Sequence, residues 1–405
     1  MGPLLRLLAI PALLLLAVAA ADWLRAPLFV EDFEVDDLVD PPRVRIGLHD
    51  ALDVPKVAFR VDGPVQVLDP AGREMFWEGP SLEAEALPAP APGPGIRIGN
   101  ALAVPLDEAL VMPVRDGTLQ VGKTRYRGAL RLMVRGADRR LNAVNDVGLE
   151  RYLQGVITSE MRAHWPVAAL QAQAVVARTY AAYEVQSGYA RSRRGFDVFD
   201  DDNSQVYRGL DGETPEAVDA ARATYGVVLR YAGRLFKSFY QNTCGGQTES
   251  SAVVFLEQDI PPLAGRPCVY CTGSKHYRWQ LEAAKADVAA RIYGNAGAGR
   301  DLSVRVAEKT PGGLVLKVAV HSPRGGTREM TGKQFRSAVG PSKFESLAFD
   351  VQDAGDRLVI TGRGWGHLVG LCQEGARGFA EAHPDATYRD ILLYYYPGST
   401  AGRAY

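Results

Sequence analysis

LQGVITSEMRAHWPVAALQAQAVVARTYA, residues 153–181, is the stretch of this chain that decides its fold. With the residues just before it, it places apolar side chains at helical spacing from Leu149 to Val156, which predicts a helix with one buried face. Pro166, a residue favoured in the first turn of a helix, begins a second, Ala-rich segment that we predict to be helical to about Gln186. Apolar residues lie all round this second segment, which indicates a buried helix.

A single carboxylate, Glu160, lies between the two predicted helices, near Tyr152, Met161 and Trp165 along the chain. Apolar and aromatic neighbours disfavour the ionised form of a carboxyl group and therefore raise its pKa. A raised pKa is what a general acid needs near neutral pH. Most glutamates are merely solvated or lie at a helix end, so the residue types alone leave a structural and a catalytic interpretation of Glu160 open.

The composition is that of an ordinary globular protein, and the charge excludes one class of partner. The chain has 405 residues, of which 47% are hydrophobic and 23% charged, and this length allows two or three domains. The 46 basic and 47 acidic residues give a formal net charge of −1. A balance of this kind does not indicate nucleic acid as a partner.

The N-terminus has the pattern of an export signal. Arg6 precedes an apolar run over residues 7–21 that ends in small residues. The run is shorter than the roughly 20 residues of a membrane-spanning helix, so we predict a signal peptide at 1–21. The mature chain is then expected outside the cytoplasm, in the periplasm or cell wall. An uncleaved membrane anchor is the alternative.

The rest of the chain predicts the α+β class: a β-rich N-terminal region joined to a mixed helix/strand catalytic core that carries an α+β insert. Short β-type runs separated by Gly, Pro and Asp place the β-rich region at 22–140. The core is expected at 141–280 and 351–405, with the insert at 281–350. Within the core, the polar segment 192–210 is expected to be a surface loop.

The chain has four cysteines, and they allow two interpretations. An even number in an exported protein favours two disulfides. Cysteines at C-x-x-C spacing commonly supply two ligands of a tetrahedral zinc site, and a closed four-ligand site is structural rather than hydrolytic. The candidate ligands are Cys244, Cys268, Cys271 and Cys372, with His276 as an alternative ligand.

A glycine-rich block, GRGWGHLVGLCQEGA at 362–376, is a second candidate part of a site. Its glycines allow tight turns and a close approach of the backbone to a ligand, and His367, Gln373 and Glu374 add polar groups. The spacing matches neither a phosphate-binding loop nor a dinucleotide fingerprint. We interpret the block as one wall of a polymer-binding groove; the alternative is a turn that packs under a helix.

Taken together, five blocks resemble the SpoIID/LytB family, named after stage II sporulation protein D. They are YLQGVITSEM with WPVAALQAQAVVARTYA, then SQVYRG, CGGQTES, GRGWGHLVGLCQEGA and YRDILLYYYPGS, and the resemblance covers residues 46–396. The sequence departs from the family pattern at Arg162, where proline is common, and at Leu368, where glycine is usual. The extra side chain at Leu368 puts the fine fit of a substrate in doubt.

The resemblance implies a lytic transglycosylase that acts on peptidoglycan glycan strands, with Glu160 as the single acid/base. Some family members prefer strands that an amidase has stripped of peptides, and some bind zinc through Cys and His. The residues we expect to line the groove are Arg178, Gln205, Tyr207, His367 and Gln373.

Two other functions stay open at this stage. One is a non-catalytic wall-binding protein that stimulates an N-acetylmuramoyl-L-alanine amidase, as the LytB-type branch of the family has been regarded. The other is a zinc hydrolase with an open metal site near Cys268, Cys271 and His276.

Overall fold

The structure is a computed structural model that describes residues 41–405 except for short gaps. The gaps are 70–73, 78–80, 88–94, 100–101, 105–106, 115–116, 257–258, 295–300 and 341–343. The described residues all belong to one unit, Val35–Tyr405. The predicted signal peptide at 1–21 lies outside the described residues.

The part of the chain before the first α-helix is built from strands, as alternation of buried and exposed side chains predicts. In Lys56–Val61, for example, Val57, Phe59 and Val61 are buried and the residues between them are exposed. The strands are β1 (Arg43–Gly47), β2 (Lys56–Val61), β3 (Val65–Leu68), β4 (Glu74–Trp77), β5 (Ser81–Leu87), β6 (Gly95–Ile98), β7 (Leu102–Val104), β8 (Glu108–Pro113), β9 (Leu119–Val121), β10 (Thr124–Tyr126), β11 (Ala129–Arg135) and β12 (Arg140–Gly148).

The remaining strands are short and spread along the rest of the chain. They are β13 (Val198–Phe199), β14 (Val227–Tyr231), β15 (Arg234–Leu235), β16 (Tyr240–Gln241), β17 (Trp279–Ala284), β18 (Ser303–Lys309), β19 (Val315–Ser322), β20 (Gly326–Thr331), β21 (Phe349–Ala354), β22 (Arg357–Gly362), β23 (Leu371–Cys372) and β24 (Thr400–Arg403).

The strands form two large sheets and four small ones. The first large sheet has the order β13-β1-β12-β11-β8-β3-β4, and the second has the order β10-β9-β2-β5-β6-β7. The small sheets are β15-β14-β24, β16-β23, β17-β22-β21 and β18-β19-β20. Antiparallel pairs dominate, and the parallel pairs among the described strands are β1 with β13 and β16 with β23.

The helices lie after the first twelve strands. They are α1 (Leu149–Glu160), α2 (Val167–Ser187), α3 (Tyr189–Arg194), α4 (Pro215–Ala223), α5 (Ser251–Val254), α6 (Lys285–Tyr293), α7 (Gly332–Val339), α8 (Gln373–Ala382) and α9 (Tyr388–Tyr395). Short 3₁₀ turns occur at His49–Ala51, Gly209–Gly212 and Pro261–Leu263. Within the described part of the chain, no helix is both long and apolar enough to cross a membrane. Helices and strands are thus mixed, and the α+β class is confirmed.

The two helices predicted from residues 149–186 are present and form the centre of the main hydrophobic core. Helix α1 buries Leu149, Tyr152, Leu153 and Val156 completely, as their spacing predicts. Helix α2 buries 14 of its 21 residues, so it is buried nearly all round. It begins one residue after Pro166 and ends at a left-handed glycine with φ of 60°.

The prediction of a surface loop at 192–210 was wrong. Phe196, Val198, Gln205 and Tyr207 of this segment are buried, and β13 pairs with β1. The exposed charged residues of this segment, Arg193, Asp202 and Arg208, are separated by residues that pack into the core. The segment therefore belongs to the interior next to α1 rather than to the surface.

A second hydrophobic core lies in the C-terminal half. Its buried members run from Val288 to Ile360. Most of them lie on strands β19, β21 and β22 and on helices α6 and α7. The sequence assigned an insert to 281–350; that boundary and the other domain boundaries stay predictions.

Candidate active site

Glu160 is the last residue of α1, and three donors hold its carboxylate. The backbone N–H of Val206 donates to Oε1 at 2.7 Å, and the hydroxyl of Tyr240 donates to the same oxygen at 3.0 Å. The side-chain amide of Gln373 lies 3.4 Å from Oε2. The residue as a whole is only partly covered, while the three donors fix its carboxyl group.

The surroundings raise the pKa of Glu160 above its ordinary value, because burial removes water from the charged form. The three hydrogen bonds act in the opposite direction, since each stabilises the carboxylate, and the charge of Asp202 adds to the increase. The negative end of the α1 helix dipole also disfavours a carboxylate at this position. The net direction is the one that a general acid requires.

Behind the carboxylate lies a chain of hydrogen bonds through Tyr240 and Gln205. The amide Nε2 of Gln205 donates to the Tyr240 hydroxyl at 3.1 Å, and its Oε1 accepts from the Tyr152 hydroxyl at 3.1 Å. Tyr152 and Gln205 are fully buried. The network fixes the Tyr240 hydroxyl so that it donates to Glu160 rather than to water.

The glycine-rich block supplies the other side of the carboxylate. Gln373 is the first residue of α8, and its amide also approaches Oε1 of Gln173 on α2 at 3.5 Å. The Nε2 of Gln173 is buried and has no hydrogen-bond partner among the described residues. An unmatched amide donor next to the acid suits a hydroxyl or acetamido oxygen of a substrate.

The parallel pair β16–β23 positions both sides of the site. Tyr240 lies opposite Leu371 and Gln241 opposite Cys372, so Tyr240 is held beside the strand that ends just before Gln373. Gly370 has φ of 72°, and a side chain there would collide with the carbonyl oxygen of Phe239. A glycine at this position therefore allows the two strands to come close enough to pair.

His367 lies beside this region in an apolar setting. Its ring contacts Phe239 and Phe255, and its Nδ1 accepts from the backbone N–H of Val369 at 3.0 Å. Burial lowers the pKa of His367 to about 4, so the ring is neutral at physiological pH. A neutral ring that accepts a local backbone bond orders the glycine-rich turn.

Leu368, where the family usually has glycine, has φ of 68° and is completely buried. Its Cδ2 is a neighbour of Gly364. The side chain of Leu368 therefore points into the protein and packs inside the glycine-rich turn. Arg162, where proline is common, is exposed to solvent.

Two of the expected groove residues lie elsewhere. Arg178 is completely buried and pairs with Glu150, with Nε and Oε1 2.7 Å apart. Tyr207 is buried against Tyr152 and donates to Asn145 at 3.0 Å. None of the hydrogen bonds described for these two side chains involves Glu160 or its three donors. Their geometry therefore favours a structural role. A role in the groove stays a prediction, and this placement does not support it.

Sequence reasoning missed Tyr240, Gln173 and the backbone of Val206. Tyr240 lies four residues before Cys244, and Gln173 lies within the second predicted helix. Both therefore belong to stretches that the resemblance covers. Tyr240 and Val206 meet Glu160, and Gln173 meets Gln373, only through contacts between segments far apart in the chain, and no local pattern carries that information.

The four cysteines come together in the interior. Cys244, Cys268, Cys271 and Cys372 are buried, and their sulfur atoms all lie within 4.8 Å of one another. All four are free thiols, and the sulfur atoms of Cys244 and Cys271 are 3.6 Å apart, well beyond a disulfide bond. The interpretation as two disulfides therefore has no support in this geometry.

The cysteine cluster fits a tetrahedral metal ion. Four sulfurs at the zinc–sulfur distance of about 2.3 Å from a common centre lie about 3.8 Å apart, close to the observed spacing. Backbone N–H groups of Cys244 and Gly375 donate to the Cys372 sulfur at 3.2 and 3.3 Å, and the Tyr395 hydroxyl lies 3.2 Å from that of Cys268. Such donors stabilise thiolates.

His276, the alternative ligand, does not belong to this cluster. Its Nδ1 lies 2.9 Å from Oε2 of Glu345, and its ring packs on Trp365 with 4.3 Å between ring centroids. Its Nε2 is buried without a partner in the described structure. The arrangement brings together four sulfur ligands and no histidine.

Comparisons with known proteins indicate the family of the chain. The profile of the SpoIID family, described as stage II sporulation protein, matches residues 137–231, which include Glu160, and a domain of unknown function, DUF8618, matches 251–370. An uncharacterised protein of Brachyspira hyodysenteriae is 31% identical over 326 residues, which cover 78% of this chain and 84% of that protein.

Two relatives from Bacillus subtilis have functional names. Stage II sporulation protein D is 30% identical over 277 residues, covering 65% of this chain and 76% of that protein. A protein named amidase enhancer is 30% identical over 297 residues, covering 61% of this chain and 40% of that protein. On the match to the family profile and to three quarters of stage II sporulation protein D, the chain belongs to the SpoIID/LytB family.

Proposed function

We propose that this protein is an exported lytic transglycosylase that cleaves peptidoglycan glycan strands between N-acetylmuramic acid (MurNAc) and N-acetylglucosamine. The observation that carries the proposal is the carboxyl group of Glu160, a residue only partly covered by the protein, which is held by three donors and whose pKa is raised. It lies at the junction of the family's SEM block and its glycine-rich block.

In the first step Glu160 acts as an acid. Its proton passes to the glycosidic oxygen, the bond from that oxygen to C1 of MurNAc breaks, and positive charge develops on the MurNAc ring. The carboxylate that remains carries the compensating negative charge. Its donors, the N–H of Val206 and the hydroxyl of Tyr240, stabilise that charge as it forms.

In the second step the same group acts as a base. The C6 hydroxyl of MurNAc attacks C1 of its own ring, and its proton returns to Glu160. The product is a 1,6-anhydro ring, no water is consumed, and the enzyme regains its starting protonation state. One carboxyl group thus suffices, whereas an ordinary glycosidase needs two.

Hydrolysis is the runner-up reaction, and Asp202 is the candidate for the second carboxylate that it would need. Its charge raises the pKa of Glu160, so it is the carboxylate whose electrostatic influence reaches the acid. It is exposed on a short turn, with no hydrogen bond or ion pair from its side chain to a described residue. We assign it no catalytic step, because a solvated carboxylate that no other group orients is a poor nucleophile or water-positioning group.

We further propose that the cysteine cluster holds a structural zinc ion. Cys244, Cys268, Cys271 and Cys372 would be its ligands, and bound zinc would cross-link three segments that are distant in sequence. Four protein ligands leave no open coordination position, which argues against a zinc hydrolase. The metal would keep β16, and with it Tyr240, in place.

A second candidate function is stimulation of an N-acetylmuramoyl-L-alanine amidase without catalysis. The observation that favours it is the 30% identity to the Bacillus subtilis protein named amidase enhancer. In this case the groove near Glu160 would bind glycan strands only, and the partner would be the amidase.

The test uses glycan strands freed of peptides by an amidase, the mature chain, and the variants Glu160→Gln and Asp202→Asn. Products are identified by mass spectrometry. We expect 1,6-anhydro-MurNAc ends from the wild type and from Asp202→Asn, and loss of cleavage by at least about a hundredfold in Glu160→Gln.

Other outcomes separate the candidates. Full activity of Glu160→Gln would contradict the proposal. Reducing MurNAc ends that disappear in Asp202→Asn would establish hydrolysis with two carboxylates. Strands that bind to the wild type and are never cut, while an added amidase works faster, would establish the amidase enhancer.

A further inference from the structure

A cavity of about 790 Å³ lies on one face of the first large sheet, on the side away from the main core. Along β1, Val44 and Ile46 are completely buried in the core, while Arg43 and Arg45 alternate with them and line the cavity. Alternation in a strand sends these two pairs to opposite faces. The cavity is therefore a feature of the sheet itself and is separate from Glu160.

The lining of the cavity is strongly cationic. One carboxylate, that of Asp146 on β12, faces it. The arginines that line it come from β1, β11, the segment just before β11 and helices α1 and α3; they are Arg43, Arg45, Arg127, Arg131, Arg151 and Arg191.

The described carboxylates do not balance these charges. Asp146 forms ion pairs with Arg43, Arg45 and Arg131. Three more carboxylates pair with the lining arginines: Glu108 with Arg131, Glu213 with Arg127, and Asp197 with Arg191. Six arginines against four carboxylates leave two positive charges uncompensated within the described structure.

Several N–H donors of the cavity also lack an acceptor. The Nε of Arg45 lies 3.8 Å from Asp146, too far for a hydrogen bond, and no hydrogen bond of its guanidinium to a described residue exists. The Nε of Arg131 is buried without a partner, and the side chain of Arg151 is exposed and pairs with no described residue. Burial and the charges of Arg131 and Arg191 lower the pKa of Arg45.

The guanidinium groups of Arg45 and Arg151 reach solvent and make no hydrogen bond to a described residue, so their N–H donors are available to a ligand in the cavity. Arginine N–H groups match the oxygens of carboxylates and phosphates. A carboxylate is planar and is satisfied by one guanidinium. A phosphate group has more oxygens, arranged in three dimensions, and carries up to two negative charges. It therefore matches several arginines and their two excess positive charges better than a carboxylate does.

We propose that this cavity, named here the arginine cavity, binds a phosphate group of an anionic ligand, with Arg45, Arg131 and Arg151 as its principal contacts. Leu110, Met112 and Pro113 form an apolar part of the wall, which suits the organic part of a phosphate ester. The cavity lies at the N-terminal end of α1, and Glu160 ends the same helix about 16 Å away.

The test measures binding of inorganic phosphate and of glycerol phosphate to the full chain by calorimetry, with sodium chloride at equal ionic strength as a blank. Acetate and succinate are the carboxylate probes. The variant is Arg45→Gln with Arg151→Gln, and Arg305→Gln on exposed β18 is the matched control. Thermal unfolding of each variant without ligand verifies that it is folded.

We expect phosphate and glycerol phosphate to bind the wild type and Arg305→Gln equally, and to bind the double variant at least about tenfold more weakly. Because Arg45 and Arg151 lack hydrogen-bond partners, the double variant should unfold at no lower temperature than the wild type. The proposal is overturned if neither phosphate binds, if the double variant binds as well as the wild type, or if the carboxylates bind as tightly as phosphate.

Discussion

At the scale of the residue, Glu160 is a group kept at a cost to stability. Its pKa in the folded protein is above the ordinary value of 4.5, because burial disfavours the charge. The folded state therefore holds the proton more tightly than the unfolded chain does. The stabilisation that this gives is complete below the pKa that Glu160 has in the unfolded chain. It is lost as the pH rises through the higher pKa that Glu160 has in the folded protein.

It follows that Glu160→Gln should not destabilise the protein at neutral pH, although it abolishes cleavage. The amide cannot ionise, so the cost of the buried charge disappears. Thermal unfolding of the wild type and the variant between pH 4 and 8 tests this. We expect the wild type to lose stability relative to the variant as pH rises; a wild type that gains stability instead would show that the pKa is lowered.

Tyr240→Phe should shift the pH dependence of cleavage without removing activity. The lost hydroxyl donated to the Glu160 carboxylate at 3.0 Å, so the charged form loses a stabilising bond and the pKa rises further. The alkaline limb of the rate, where Glu160 loses its proton, should then move to higher pH. The measurement is the rate of strand cleavage against pH. An unchanged or acid-shifted limb would mean that Tyr240 does not act on Glu160.

At the scale of the element, the β16–β23 pair is what joins the two halves of the site. Gly370→Ala should break it, because the new Cβ would collide with the carbonyl oxygen of Phe239. Gly355→Ala is the matched control: Gly355 has φ of 77°, close to that of Gly370, and a Cβ there meets nothing within 4 Å.

Both variants carry a strained backbone, which costs about 1 kcal/mol, and only Gly370→Ala adds the collision. Cleavage and thermal unfolding are measured for each. We expect Gly355→Ala to keep full activity and Gly370→Ala to lose most of it. Equal activity of the two would show that this strand pair does not position Tyr240 and Gln373.

The ion pair between α1 and α2 gives a separate prediction. Arg178→Met leaves the Glu150 carboxylate without its guanidinium partner, and breaking one side of a buried pair costs about 3 kcal/mol. Unfolding in denaturant should show that loss, while the pH dependence of cleavage stays as in the wild type. A stable variant that binds strands weakly would instead place Arg178 in the groove.

Helices α1 and α2 were predictable because their information is local: spacing from Leu149 to Val156 and the proline before Val167 specify them. Glu160 was predictable as a candidate because it lies in the SEM block that carries the family resemblance, although the groups that hold it come from distant segments. Tyr240 and Gln173 were not, since their contacts with the site come from pairing and packing between segments far apart in the chain. The same reason explains the wrong prediction of a surface loop at 192–210, where β13 pairs with a strand more than 150 residues earlier.

At the scale of the whole molecule, the cysteine cluster connects the β16–β23 pair to the segment before β17. Cys244 follows β16, Cys268 and Cys271 lie before β17, and Cys372 ends β23. C-x-x-C spacing in the sequence indicated a metal site, with disulfides as the alternative. The fold decides which further residues lie next to this pair. In the structure they are Cys244 and Cys372 and not His276.

If the cluster holds zinc, the purified chain should contain about one zinc ion per molecule by elemental analysis, and a chelator should lower its unfolding temperature. Cys268→Ser should lose the metal and the chelator effect together. Four titratable thiols after denaturation of the metal-free protein would agree. No zinc and no free thiols would show that two disulfides form instead.

The central claim is that one carboxyl group, Glu160, performs both proton transfers and that water takes no part. The most direct measurement is cleavage of peptide-free glycan strands in water labelled with heavy oxygen, with mass spectrometry of the new MurNAc ends. The account predicts anhydro ends, lighter by one water than reducing ends and free of label, and none from Glu160→Gln. Labelled reducing ends would contradict it, because they would show that water, and not the C6 hydroxyl, attacks C1.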